Sequence, residues 1–170
     1  MTKIGPIAYL TGEYPRASDT FIQREIAGLR ALGIEVETCS IRRTDPSHHV
    51  GPEQRQEAAN TFHVLDASKN PVSLLRAHAR LVAKRPKSYF SALVQAWRTR
   101  APGVKAGIYQ LIYFAEAGML ASQMQARGIT HLHNHIATAS CTVAMLASRL
   151  SGIPYSFTLH GPDIFFDPHR

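Results

Sequence analysis

The sequence predicts a doubly wound α/β domain, and three observations carry that expectation. Short runs rich in β-branched and aromatic residues alternate with longer segments of helical periodicity. Glycines fall where those helical segments should stop, at Gly33, Gly128 and Gly152. The stretch 129–163, ITHLHNHIATASCTVAMLASRLSGIPYSFTLHGPD, reads as one strand, helix, strand unit. Such a unit joins parallel strands, because parallel pairing needs a crossover of a dozen or more residues. In open parallel sheets ligands collect beyond the carboxyl ends of the strands, which makes 133–135 and 160–163 an expected site edge.

Residues 3–10 (KIGPIAYL) form the first predicted strand, with Pro6 arguing for an edge position or an early irregularity. TGEYPRAS is a loop, after which Ser18 and Asp19 supply a capping side chain and a negative charge for a helix over 19–32. Its Ile22, Ile26 and Leu29 share one face, with Phe21 and Leu32 beside them. IEVETCSI is the second strand, and 42–51 a polar surface loop with solvated His48 and His49. A short helix over 52–59 leads to a strand in TFHVL. Two basic amphipathic helices follow, 71–84 and 86–98, each opened by a proline that fits the first turn. Their Leu74, Leu75, Leu81, Val82, Phe90, Leu93, Val94 and Trp97 recur at helical spacing and read as core. A long helix over 104–127 delivers the chain to the 129–163 unit, whose helix spans 138–150.

A chain of 170 residues suits one domain and is long enough to bury roughly 70% of its unfolded surface, so no metal or disulfide staple is required. Cys39 and Cys141 lie in apolar contexts without CxxC spacing and read as reduced core thiols of a cytoplasmic protein. The start lacks a signal-peptide pattern. The apolar run 106–126 is broken by Gln110, Glu116, Gln123 and Gln125, which makes it a buried helix rather than a membrane span. The net charge of +7 is concentrated: nine lysines and arginines and no acidic residue lie between Ala67 and Ala115. That patch fits either a solvated helical face or a surface that meets anionic membranes or other polyanions.

His131, His133 and His135 alternate, so a continuous strand points all three to one side. HLHNH resembles the HxHxDH of metallo-β-lactamase-like hydrolases only in part: the aspartate is missing and no carboxylate ligand follows nearby. The expectation is no metal, with His131 bonded inside the sheet and the other two lining a polar crevice; a metal-dependent hydrolase is the third-ranked reading. The TGEYPRAS loop sits where α/β folds hold anions, and Arg16, Ser18 and Thr20 could bind a sugar or phosphate. Gly12 alone is no GxGxxG, which disfavours nicotinamide and flavin cofactors. His160 is the sharpest single candidate, offered at a strand's end beside Gly161 and Asp163. The absence of GxSxG, P-loop and kinase signatures disfavours common hydrolase and phosphotransfer chemistry.

YPRASDTFIQREIAGLRALGIEVE near the start and HLHNHIATASCTVAMLASRLSGIPYSFTLHGPDIF at the end resemble the N-terminal half of a family 4 retaining glycosyltransferase of GT-B fold. The similarity is closest to bacterial exopolysaccharide and colanic-acid enzymes and covers most of the chain, least specifically in its basic middle. It implies a Rossmann-like domain over 1–170 forming the acceptor side of the enzyme, with a nucleotide-sugar donor held mainly by a second domain. The acceptor implied is a glycan or a lipid-linked glycan, in cell-surface polysaccharide biosynthesis. It implies His160 as the catalytic residue near the donor sugar, the loop from Gly12 to Thr20 facing the cleft with Glu13 among its residues, and His133, Asn134 and His135 on the acceptor side with Gly161 and Asp163. No cofactor, metal or nucleic acid is implied. A peripheral station on the inner face of the membrane is. The paired-glutamate donor motif is missing from these residues, so the 170-residue chain is expected to be inactive alone. The competing expectation is a non-catalytic basic α/β module that binds sugar, phospholipid or nucleic acid.

Overall fold

The computed structural model describes residues 4–136 and 138–160. Five strands, β1 (Ile7–Glu13), β2 (Val36–Arg42), β3 (Phe62–His63), β4 (His131–His135) and β5 (Tyr155–Thr158), pair in parallel in the order β3-β2-β1-β4-β5. Helices cover the sheet: α1 (Thr20–Ala31), α2 (Pro52–Asn60), α3 (Val64–Ser68), α4 (Pro71–Lys84), α5 (Pro86–Arg98), α6 (Val104–Ala126) and α7 (Ala139–Ser151). This is the expected α/β architecture, a Rossmann-like parallel sheet flanked by helices. The chain winds outward from β1 through β2 to β3, then returns to the other side of β1 as β4 and β5. The β1–β4 boundary is therefore the topological switch point.

Strand alternation sorts the core into two faces. Ala8, Leu10, Cys39, Ile41 and Leu132 pack with α6 and α7 in the larger cluster, which includes the fully buried Leu120 and Leu146. Tyr9, Tyr14 and Val36 pack with Ile22 and Ile26 of α1 on the opposite face. Truncating a leucine such as Leu120 to alanine costs about 2–5 kcal/mol. Pro occupies the first turn of α2, α4 and α5, where its missing N–H removes no helical bond. α7 ends at Gly152, whose φ of 79° closes the helix in the left-handed region.

Several sequence expectations need correction. β1 is the central strand, so of the two readings of Pro6 the edge fails and the early irregularity holds: Pro6 precedes the ladder, and its carbonyl accepts the Thr130 N–H at 2.8 Å. The strand expected in TFHVL stops after Phe62 and His63, because Val64 turns into α3 and is fully buried there. Asp19 holds the N-cap position of α1 without a side-chain cap; its Oδ1 instead accepts from the Ser18 hydroxyl at 2.9 Å. His48 and His49 are engaged: the Ala17 N–H donates to His48 Nδ1 at 3.4 Å, and His49 Nε2 lies 2.8 Å from Thr44 Oγ1.

The largest correction concerns α4 and α5, which pack as an outer layer on α6 and α7 and extend the larger cluster outward, leaving part of their apolar stripes uncovered. Ala77 and Leu81 from α4 and Ala92 and Ala96 from α5 are buried, and Leu74, Tyr89 and Leu93 pack half-buried against that cluster, so Leu74, Leu81 and Leu93 meet the core expectation. Leu75, Phe90, Val94 and Trp97, expected in the core, are 70%, 58%, 50% and 51% exposed. Leu32 likewise lies at the surface.

Candidate functional site at the switch point

Neighbouring strands β1 and β4 send their continuing chains to opposite faces of the sheet, which opens a crevice beyond Glu13 and His135. A cleft of about 280 Å³ lies there. Gly12 and Glu13 at the end of β1 and Arg16 beyond it wall the cleft, with Tyr113 and Glu116 from α6 and Thr138, Ala139 and Ser140 at the start of α7. The first N–H groups of a helix lack intrahelical partners and carry the positive end of its dipole, so this wall suits hydroxyl or anionic oxygens. Among the described residues, three buried polar atoms of the lining have no hydrogen-bond partner: Arg16 Nε, Asp19 Oδ2 and Glu116 Oε2. Leaving such an atom unsatisfied costs about 1–3 kcal/mol, a cost that a polyhydroxylated ligand would offset. Glu116 is 5% exposed, and burial holds its carboxyl above the usual range against the opposing pull of Arg42.

The turn between β4 and α7 adds strain to the cleft wall. Ile136 has φ of 71°, a left-handed conformation that a β-branched side chain rarely adopts. Its carbonyl accepts from Asn134 Nδ2 at 2.9 Å, and its N–H donates to the Thr158 carbonyl at 3.1 Å. Those bonds hold the residue in place. Strain of this kind, worth about 1–3 kcal/mol, concentrates at ligand-binding turns.

The histidines of β4 lie on the α1 face of the sheet, the same face as Tyr9. His131 Nε2 is 2.8 Å from Ser156 Oγ, the intra-sheet bond expected of it. His133 meets Ser156 Oγ through Nδ1 at 2.8 Å and Thr158 Oγ1 through Nε2 at 3.1 Å. His135 is 2% exposed, and its Nδ1 lies 3.4 Å from His160 Nε2. Its ring stacks against that of His160 and meets Phe21 edge-on. Burial, aided by the neighbouring His133, lowers the His135 pKa to about 4, and burial also lowers that of His133. His135 is therefore neutral at pH 7.

Gly12, Glu13 and Arg16 thus fall on the cleft, while Ser18 and Thr20 are exposed and outside its lining. His133, His135 and His160 gather instead on the α1 face. Asn134 is fully buried with its Oδ1 unpartnered. Gly161 and Asp163 lie outside the described residues. Sequence reasoning missed Glu116, although a signal was present: it is the one carboxylate in the apolar run 106–126. Asp19, Tyr113, Ile136 and Glu25 had no comparable signal, because their roles depend on which segments the fold brings together.

These features define an α/β chain of Rossmann-like build with a polar cleft at its switch point. No family model, curated protein or solved structure matches the chain. Among the described residues, no helix is long and apolar enough to cross a membrane.

Proposed function

We propose that this chain is the acceptor-side domain of a retaining glycosyltransferase of cell-surface polysaccharide synthesis. The observation that carries the reading is the set of unpartnered polar atoms on Arg16, Asp19 and Glu116 in the switch-point cleft. A sugar presents alternating hydroxyl donors and acceptors around apolar C–H faces, and the cleft offers both kinds of polar group beside Ile41, Tyr113 and Ile136. In this reading the acceptor is a glycan or lipid-linked glycan, and the nucleotide-sugar donor is held mainly by a partner domain. His160 sits on the donor-facing side. Retaining transfer needs an oxocarbenium-like centre and a departing diphosphate to be stabilised, and the positive end of the α7 dipole suits the second of these, the diphosphate.

Saturation-transfer NMR with the purified chain tests this reading against a panel of hexoses and short oligosaccharides. Millimolar binding that weakens at least tenfold in Arg16→Ala and Glu116→Gln supports it. Absence of binding, or binding indifferent to both substitutions, sinks it.

A second reading, peripheral attachment to an anionic membrane, is favoured by a separate observation. Leu75, Phe90, Trp97, Val104 and Ile108 are exposed on the segment that holds nine cations and no acid. Apolar side chains interleaved with lysines and arginines suit the boundary between headgroups and acyl chains. This attachment is compatible with glycosyl transfer to a lipid-linked acceptor, for which it would place the cleft near its substrate.

A further inference from the structure

The carboxylate that HLHNH lacks in sequence is supplied by α1. Glu25 lies on the α1 face opposite β4, and one ligating atom from each of Glu25, His133 and His135 falls within 4.8 Å of the others. His135 Nε2 lies 3.5 Å from Glu25 Oε2 without forming a hydrogen bond, and among the described residues this buried nitrogen has no hydrogen-bond partner. Two ligands held at 2.0–2.2 Å by a tetrahedral ion stand about 3.4 Å apart. The observed separation therefore suits a shared cation better than a direct bond.

We propose that Glu25, His133 and His135 form a binding site for a divalent transition-metal ion of the zinc class. The chemistry of the donor set selects the ion. Two imidazoles and one carboxylate match zinc or cobalt, whereas magnesium and calcium favour sets built of oxygen. Three protein ligands leave a fourth position for water.

The surroundings already hold the ligands. The Tyr9 hydroxyl donates to Glu25 Oε1 at 2.5 Å, leaving Oε2 turned toward His135. The other nitrogen of His135 faces His160. His133 gives up one hydroxyl partner on coordination and keeps the second, Ser156 or Thr158, as the group that fixes its tautomer. Glu25 is 43% exposed at its side chain, which provides both an entry path and the freedom to close on the ion. A metal here would pin α1 to β4 beside the strand ends.

The test is titration of the chelator-stripped 170-residue chain with Zn²⁺ or Co²⁺ alone. One equivalent of Co²⁺ with visible d–d absorption is expected, displaced by Zn²⁺. Glu25→Gln and His135→Ala should abolish the site, Tyr9→Phe should weaken it by about 10-fold, and the double variant His48→Gln/His49→Gln should leave it intact. Glu25 is part exposed, so its variant keeps the fold, which circular dichroism checks. Zn²⁺ should raise the melting temperature of the wild type and not of Glu25→Gln. Substoichiometric binding, or equal affinity in wild type and Glu25→Gln, overturns the proposal. Neither result bears on sugar binding, which is read separately at Arg16 and Glu116.

Discussion

The Tyr9 hydroxyl donates to Glu25 Oε1 at 2.5 Å, tying the central strand to α1 across sixteen residues. Tyr9 is buried and its phenol is held well above the usual range, by burial first and then by the adjacent carboxylate. The phenol therefore remains a donor at every physiological pH. Because Glu25 is partly exposed, Tyr9→Phe is expected to cost about 1 kcal/mol, below the full value of a buried charge-assisted bond. Urea unfolding of the two proteins under chelating conditions measures it.

Glu116 answers to a different rule. Burial raises its pKa, so the folded chain resists its ionisation. The resulting cost is absent below the unfolded value of 4.5 and develops as pH rises through the folded value. Glu116→Gln should therefore raise the melting temperature at pH 7 by about 2–4 °C, equivalent to about 1 kcal/mol for a chain of this size. The gain should vanish near pH 4. Calorimetry at both pH values decides it, and an unchanged or lowered melting temperature at pH 7 would contradict the account.

His78 fills the space between α4, α5 and α6. Its Nε2 donates to the Ala115 carbonyl at 3.2 Å, which leaves Nδ1 to accept from the Tyr89 hydroxyl at 2.8 Å. Burial lowers its pKa below 6.5, as it does for His63. Just below pH 6.5 the unfolded chain consequently binds more protons than the folded one. The stability these neutral imidazoles contribute is complete above 6.5 and declines as pH falls toward their folded values. Denaturation midpoints at pH 7, 6 and 5 should fall in that order, and less steeply in His78→Gln.

Gly118 of α6 lies against the same ring. An added Cβ would collide with His78 Cε1 and Nε2. Gly118→Ala is expected to destabilise the chain by about 1–3 kcal/mol, the cost of overpacking, even though alanine is the better helix former. Chemical denaturation reads the sign directly.

Trp97 is the sole tryptophan, half exposed, with the Arg100 guanidinium 4.0 Å from its ring centroid. If the basic face meets anionic lipid, Trp97 emission should shift to the blue on mixing with phosphatidylglycerol vesicles. It should not shift with phosphatidylcholine, and high salt should reverse the effect. An identical response to both lipids would remove the electrostatic reading of this face.

The sheet and its helices were legible because their signals are local. Gly33 and Gly152 mark helix ends, and prolines mark helix starts, through the backbone geometry of single residues. The one-sided placement of His131, His133 and His135 followed from the two-residue period of a strand. The exposure of Phe90 and Trp97 was hidden, since a helical apolar stripe says nothing about whether a second layer will cover it. Glu25 and Glu116 were hidden for a related reason: each acquires its surroundings from strands or helices distant in sequence. Val64 misled because a β-branched residue in an apolar run fits a strand as well as a buried helical turn.

β4 carries a consequence for how the chain reaches its fold. Its histidines occupy one face, while Leu132 and Asn134 occupy the other, with Leu132 in the dry layer beneath α6 and α7. A slip of one residue against β1 would drive imidazoles into that layer and turn Leu132 outward. The mispaired sheet would bury nitrogens with no partners, so the alternation acts as a code against misalignment. A strand this short has few ladder bonds to define its alignment, and polarity rather than length sets the single register in which it can close.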